Sequence, residues 1–316
     1  MPNLVSEMRL PSDKSNPELS LLCGEAIRQW GPAEHVTAVL IKGSAGVAGS
    51  VPVGGDLDLL VVVGDRAVSE RFAELRIEGV PVEIFPLEER SLNDVEDILR
   101  HQSLPLELVQ NIHLLDSHGV LARVRQKIEP RLFEPQFVTA RRTADTEAAS
   151  KSLHRADTLL QSGDAEGAAR DLTVALWHGA AAAATAAHLR PTTRRCLALW
   201  AKVLRVQGRL ETLSQLEAAA GPEVPAGGRA ALVNRLAATD DRVGDAVRGM
   251  VLSGEARWIV FPFLRSTLWA PTARRHTDDS RAEVLDAVGW GPGSLQRRMD
   301  PATLLVQGLA DLGQPQ

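Results

Sequence analysis

VTAVLIKGSAGVAGSVPVGGDLDLLVVV, residues Val36 to Val63, is the stretch whose reading decides the fold. An apolar run breaks at Gly43-Ser44, passes through small residues, and resumes as a second apolar run opened by Asp56 and Asp58. It reads as strand, phosphate-binding turn, short helix, loop and metal-bearing strand. Alternate residues of a strand face the same side, so Asp56 and Asp58 project together while Leu57 points away. Two neighbouring carboxylates repel unless a cation sits between them. Mg2+ is a hard cation that takes carboxylates together with substrate phosphates, so it is the expected occupant.

Gly43 and Ser44 fall where the first strand ends. Small residues there let backbone N–H groups approach a phosphate, and Ser44 adds a hydroxyl donor. A third acid lies in the β-rich run Val80-Pro-Val-Glu-Ile-Phe85, whose one charge is Glu83. Two bland readings stand beside this one: Asp56 and Asp58 as turn caps between buried strands, and Glu83 as an edge residue facing water.

At these residues the chain resembles the nucleotidyltransferase superfamily that includes DNA polymerase β and the antibiotic nucleotidyltransferases. The family pattern is Gly-Ser, a short helix and loop, Asp-x-Asp or Asp-x-Glu, then a third acid on a later strand. Gly43-Ser44, Asp56-Leu57-Asp58 and Glu83 fill it, within roughly residues 20 to 130. The chain also departs from the pattern. Lys42 stands where an aromatic usually precedes Gly-Ser, Ala45 to Gly49 carry no basic residue, and Gly55 replaces a frequent serine. These changes bear on nucleotide affinity more than on metal binding.

The resemblance implies an α+β chain: a small mixed-sheet nucleotidyltransferase domain over residues 1–135, its first 16 a loose arm, followed by an α-helical substrate-binding domain over 136–316. It implies Mg2+ on Asp56, Asp58 and Glu83, and a nucleoside triphosphate, ATP favoured, with its outer phosphates at Gly43 and Ser44. A kanamycin-type nucleotidyltransferase also offers a Glu and a Lys four apart in its helical domain. Glu147 and Lys151 match that spacing, as general base for an acceptor hydroxyl and as cation for the triphosphate. Read from the residues alone, they are equally a surface i,i+4 ion pair with Arg155 one turn on. The acceptor implied is a small hydroxylated molecule, antibiotic-like or a metabolite, bound where the two domains meet. A nucleotide-binding pseudoenzyme and a protein-modifying enzyme of the toxin–antitoxin kind remain as alternatives, and a homodimer is left open.

With 316 residues, 44% of them hydrophobic, the chain has material for two cores. Its net charge of −5 argues against a nucleic-acid-tracking surface, which needs a basic stripe. The charge is unevenly spread: residues 1–135 hold 13 Lys+Arg against 21 Asp+Glu, and the remainder 22 against 19. Cys23 and Cys196 show no metal-ligand spacing, and no apolar run has membrane-spanning length, so a cytoplasmic protein without membrane contact is expected.

Helical spacing predicts helices over Leu19–Trp30, near Val68–Phe72, over Leu92–Gln110 with a break near Pro105, and over Thr143–Ser162, Ala165–Leu189, Thr192–Leu204 and Leu210–Ala220. Further helices are expected to about Gly249, from Asp279 and from Pro301. Asn111–Leu115 reads as an edge strand, and Asp116–Gly119 as a turn with His118 facing water. Glu129–Pro135 reads as a linker. Trp177 and Trp200 are expected in a core. His154, His178 and His188 have no evident ligand partners, so no zinc site is expected. Arg194 and Arg195, after the break at Pro191, read equally as cations reaching the cleft or facing solvent, and the cluster Arg274-Arg275-His276 reads as a solvated loop.

Overall fold

The computed structural model describes residues 17–48, 56–189, 196–221, 285 and 290–311. The expected arm, Arg194 and Arg195, the Gly/Pro-rich stretch after Gly221 that reads as a loop, Trp258–Phe263, which reads as a short strand or a buried turn, Arg274–His276 and the helices near Gly249 and Asp279 lie outside the described residues. The chain is α+β and divides into two compact units, Met1–Phe137 and Val138–Gln316.

The first unit is built on a five-stranded mixed sheet in the order β3-β4-β2-β1-β5. Its strands are β1 (Val36–Lys42), β2 (Leu57–Val63), β3 (Ala73–Ile77), β4 (Val80–Glu88) and β5 (Ile112–Asp116). β2 and β4 run parallel and the other neighbours antiparallel. β1, β2 and β4 are apolar on both faces, the mark of strands covered on both sides. Val39, Ile41, Leu57, Leu59, Val61, Val82 and Ile84 pack on one face with α1 (Pro17–Trp30). Ala38, Leu40, Leu60, Val62, Phe85 and Leu87 pack on the other, under residues of α4 (Val95–Arg100), α5 (Leu104–Gln110) and α6 (Val120–Ile128). Two short helices complete the unit: α2 (Gly43–Ala48) after β1, and α3 (Arg66–Ser69) after β2.

Several expectations are corrected here. The helix near Val68–Phe72 is only the single turn α3, which Asp65 caps by accepting from Ala67 N at 2.8 Å. The chain then enters strand β3, hairpin-paired to β4 through Glu78-Gly79, both at positive φ. The break in Leu92–Gln110 falls at His101–Ser103, and Pro105 sits in the first turn of α5, where its missing N–H costs nothing. The Asp116–Gly119 turn forms as read: the Asp116 carboxylate accepts from Leu121 N and Ala122 N, and Gly119 takes φ 65°.

The second unit is helical among its described residues: α7 (Pro135–Gln161), α8 (Ala165–Ala186), α9 (Cys196–Val206), α10 (Leu210–Ala220) and α11 (Pro292–Gln307). The linker stretch proves to be a 3-10 turn, Glu129–Arg131, joined to α7 by the three residues Leu132–Glu134. α11 starts at Pro292 and carries Pro301 inside it. The Ala-rich run of α8 is buried in the core of this unit, and small side chains let neighbours come close. At Gly179 an added Cβ would stand 2.8 Å from the fully buried Trp200 ring. No helix among the described residues is long and apolar enough to cross a membrane.

Candidate active site

Three carboxylates converge at the start of the parallel strand pair. Asp58 on β2 is the direct register partner of Glu83 on β4, so the two side chains leave the same face of the sheet. Asp56 lies two residues before Asp58. One carboxylate oxygen from each of the three is within 4.8 Å of the others, and all three residues are half-buried. The bland reading of Glu83 as an edge residue fails, because β4 has a neighbour on each side.

Gly43 explains how Asp58 can stand where it does. Its φ of +72° favours glycine, and a Cβ there would lie 2.7 Å from Asp58 Oδ2. Gly46, one turn on in α2, is equally constrained: an added Cβ would lie 2.1 Å from the Ile41 carbonyl oxygen and 2.7 Å from Asn111 Oδ1. The Gly-Ser turn is therefore folded tightly against the end of β1, next to the acids. Ser44 follows in the first turn of α2.

The donor set suits a hard divalent cation. Three carboxylate oxygens, no nitrogen and no sulfur match Mg2+ chemistry, and small side-chain rotations bring such oxygens to metal–oxygen distances of about 2.1 Å. Among the described residues this is the one grouping of His, Cys, Asp and Glu that could hold a metal. Cys23 and Cys196 are buried, and burial pushes the Cys23 thiol far up, away from the thiolate a metal would need.

Gly43→Ala is expected to weaken Mg2+ binding at least tenfold, measured by titration calorimetry, with a loss of about 1–2 kcal/mol of stability for the left-handed alanine. A variant that binds Mg2+ as the parent does would show that the glycine is not what positions Asp58.

Elsewhere the structure sorts the remaining residues. Glu147 and Lys151 form an i,i+4 pair at 3.9 Å on α7, with side chains 63% and 73% exposed. Arg155 turns instead to Asp171 of α8, donating from Nε and Nη2 at 3.2 and 3.1 Å, and to Ser152 at 3.0 Å. His178, for which the sequence offers no partner, pairs through Nδ1 with the buried Asp145 at 2.9 Å. Trp200 is fully buried and Trp177 packs at the edge of the same core, as expected.

Around the acids the sequence reading misses one group. The Lys42 ammonium lies 3.9 Å from the Phe85 ring centroid and 3.6 Å from Glu107 Oε2. Lys42 is legible as the residue opposite Asp58 once β1 and β2 are paired. Its reach to Glu107, which arrives from α5, leaves no trace in local sequence.

Comparison with known proteins adds little to this geometry. No family model matches the chain, and no curated protein matches it. Among solved structures, the chain is similar to a nucleotidyltransferase-like protein from Exiguobacterium sibiricum, at 14% identity and a TM-score of 0.37, over 87% of this chain and 88% of that one. So loose a likeness carries no argument about activity.

Proposed function

We propose that the chain is a divalent-metal-dependent nucleotidyltransferase, which moves a nucleoside monophosphate from a triphosphate to the hydroxyl of a small molecule. The observation that carries this reading is the meeting of Asp56, Asp58 and Glu83 oxygens within 4.8 Å on one face of the sheet, beside a glycine whose Cβ would collide with Asp58. A turn-capping pair of aspartates has no need of a third acid from the neighbouring strand.

In this reading Asp56, Asp58 and Glu83 hold Mg2+. When bound, the ion neutralises phosphate charge and lowers the pKa of the attacking hydroxyl. Gly43 and Ser44 seat the outer phosphates through backbone N–H groups and the serine hydroxyl. The acceptor oxygen attacks the α-phosphorus in line, a new P–O bond forms, the bond to the bridging oxygen of the β-phosphate breaks, and pyrophosphate leaves. The hydroxyl proton passes to a base. Glu147 is the base assigned by the sequence resemblance, with Lys151 as a phosphate cation. Their exposed ion pair is worth on the order of a few tenths of a kcal/mol, so it holds neither group back. ATP is the favoured donor, and an antibiotic-like compound or a metabolite the acceptor.

A second reading, a nucleotide binder without chemistry, is favoured by one observation: α2 carries no basic residue to grip a triphosphate. Screening the four triphosphates with Mg2+ against a panel of hydroxylated compounds, with pyrophosphate release as the readout, separates the two. Release that depends on both Mg2+ and one acceptor class is expected. Nucleotide binding with no release under any acceptor, free protein substrates included, would leave the binder.

A further inference from the structure

We infer that Lys42 is a further cation for the triphosphate of the nucleotide, besides Lys151 of the sequence reading, and that Glu107 holds it ready. The inference rests on the nucleotidyltransferase reading and adds to it a phosphate-binding residue at a position where the resemblance implies an aromatic. It starts from charge. Even with two divalent ions bound, the three carboxylates and a triphosphate together carry more negative charge than the ions remove, so a further cation within reach is favoured. α2, with the sequence GSAGVA, has none. Strands β1, β2 and β4 carry one basic residue between them, Lys42.

The register puts Lys42 on the right side. It is the partner of Asp58 across β1 and β2, and Asp58 is the partner of Glu83 across β2 and β4. Residues opposite one another in a sheet share a face. Lys42, Asp58 and Glu83 therefore form a row across three strands, immediately before Gly43-Ser44. The stem of Lys42 runs over the same face, because its ammonium sits against Phe85, two residues beyond Glu83.

The way Lys42 is held suits exchange. Its side chain is only 19% exposed, and that of Glu107 12%. A Lys–Glu pair set this deep gains little over two apolar side chains of the same size, so stability alone does not account for it. At 3.6 Å the pair is an ionic contact, longer than a hydrogen bond, with no fork geometry to lock it. Lysine is a point charge with rotatable donors on a flexible stem, which can turn from a carboxylate to a phosphate.

Calorimetric titration with Mg2+ alone, and with inorganic tripolyphosphate in the presence of Mg2+, tests this without needing the acceptor or the base. Lys42→Met is expected to bind Mg2+ at least as tightly as the parent and tripolyphosphate roughly ten- to hundredfold more weakly. Lys42→Arg should recover most of that loss. Glu107→Gln, by releasing the ammonium, should bind tripolyphosphate severalfold more tightly. Equal tripolyphosphate affinity in the parent and Lys42→Met overturns the inference while leaving the acid site standing. So does a loss in Glu107→Gln as large as in Lys42→Met, which marks a static pair. A parent chain that binds neither Mg2+ nor tripolyphosphate overturns the transferase reading and this inference together.

Discussion

Asp58→Asn is expected to lower nucleotide transfer by about a thousandfold, some 4 kcal/mol of transition-state stabilisation, while the protein without metal melts at or above the temperature of the parent. Both halves follow from the same crowding. Carboxylates within 4.8 Å of one another repel by up to about 3–4 kcal/mol per pair at an effective dielectric near 20, and solvent at these half-buried positions reduces that figure. The asparagine keeps the volume of Asp58 and removes one charge, so the metal-free sheet is relieved. Metal binding then has lost its central ligand. Millimolar Mg2+ should raise the melting temperature of the parent by a few degrees and leave that of Asp58→Asn unchanged, because a ligand stabilises only the state that binds it. Mg2+ stabilising both proteins equally, or transfer at the parental rate, would remove Asp58 from the metal site.

The grouping of the three acids is more legible in the sequence than much of the fold, and the reason lies in periodicity. Asp56 and Asp58 are two apart in an apolar run, and strand geometry alone puts them on one face. Glu83 needs one further step, the pairing of β2 with β4, because nothing local says which strand lies next to which. Strand β3 escapes because Ala73-Glu-Leu-Arg-Ile77 is short and half charged, and it becomes a strand through its ladder with β4. The start of α7 reads too late for a similar reason: Pro135 looks like a breaker, yet at the first helical position its fixed φ is an asset. Pairs distant in sequence, Asp145 with His178 and Lys42 with Glu107, depend on how helices pack and on which face each residue happens to fall. From sequence, the lysine before Gly-Ser is visible only as a departure; the register turns it into a neighbour of the acids.

Arg298→Met is expected to be the most destabilising single change in the helical unit, lowering the melting temperature of the full chain's weaker transition by about 10 °C. Arg298 is fully buried on α11. One of its guanidinium nitrogens, Nη1, donates to the carbonyl oxygens of Ala219 at 3.1 Å and Gly221 at 2.7 Å, with Ala218 at 3.4 Å. These are carbonyls of the last turn of α10 and of Gly221, which caps it; the helix itself cannot satisfy them, and they form its negative end. The guanidinium also lies 5.0 Å from the ring of Trp290, itself buried. Methionine would fill much of the volume but leave those carbonyls in an apolar core without the cation. The cost is about 3–5 kcal/mol, set against the roughly 5–15 kcal/mol that holds a typical domain together. Arg298→Lys should recover part of the loss, since it returns a charge but not the planar fork. Mg2+ titration of the proposed site at Asp56, Asp58 and Glu83 gives the control, because those residues belong to the other unit. A melting temperature within about 2 °C of the parent would mean that α10 does not depend on this arginine for its closure.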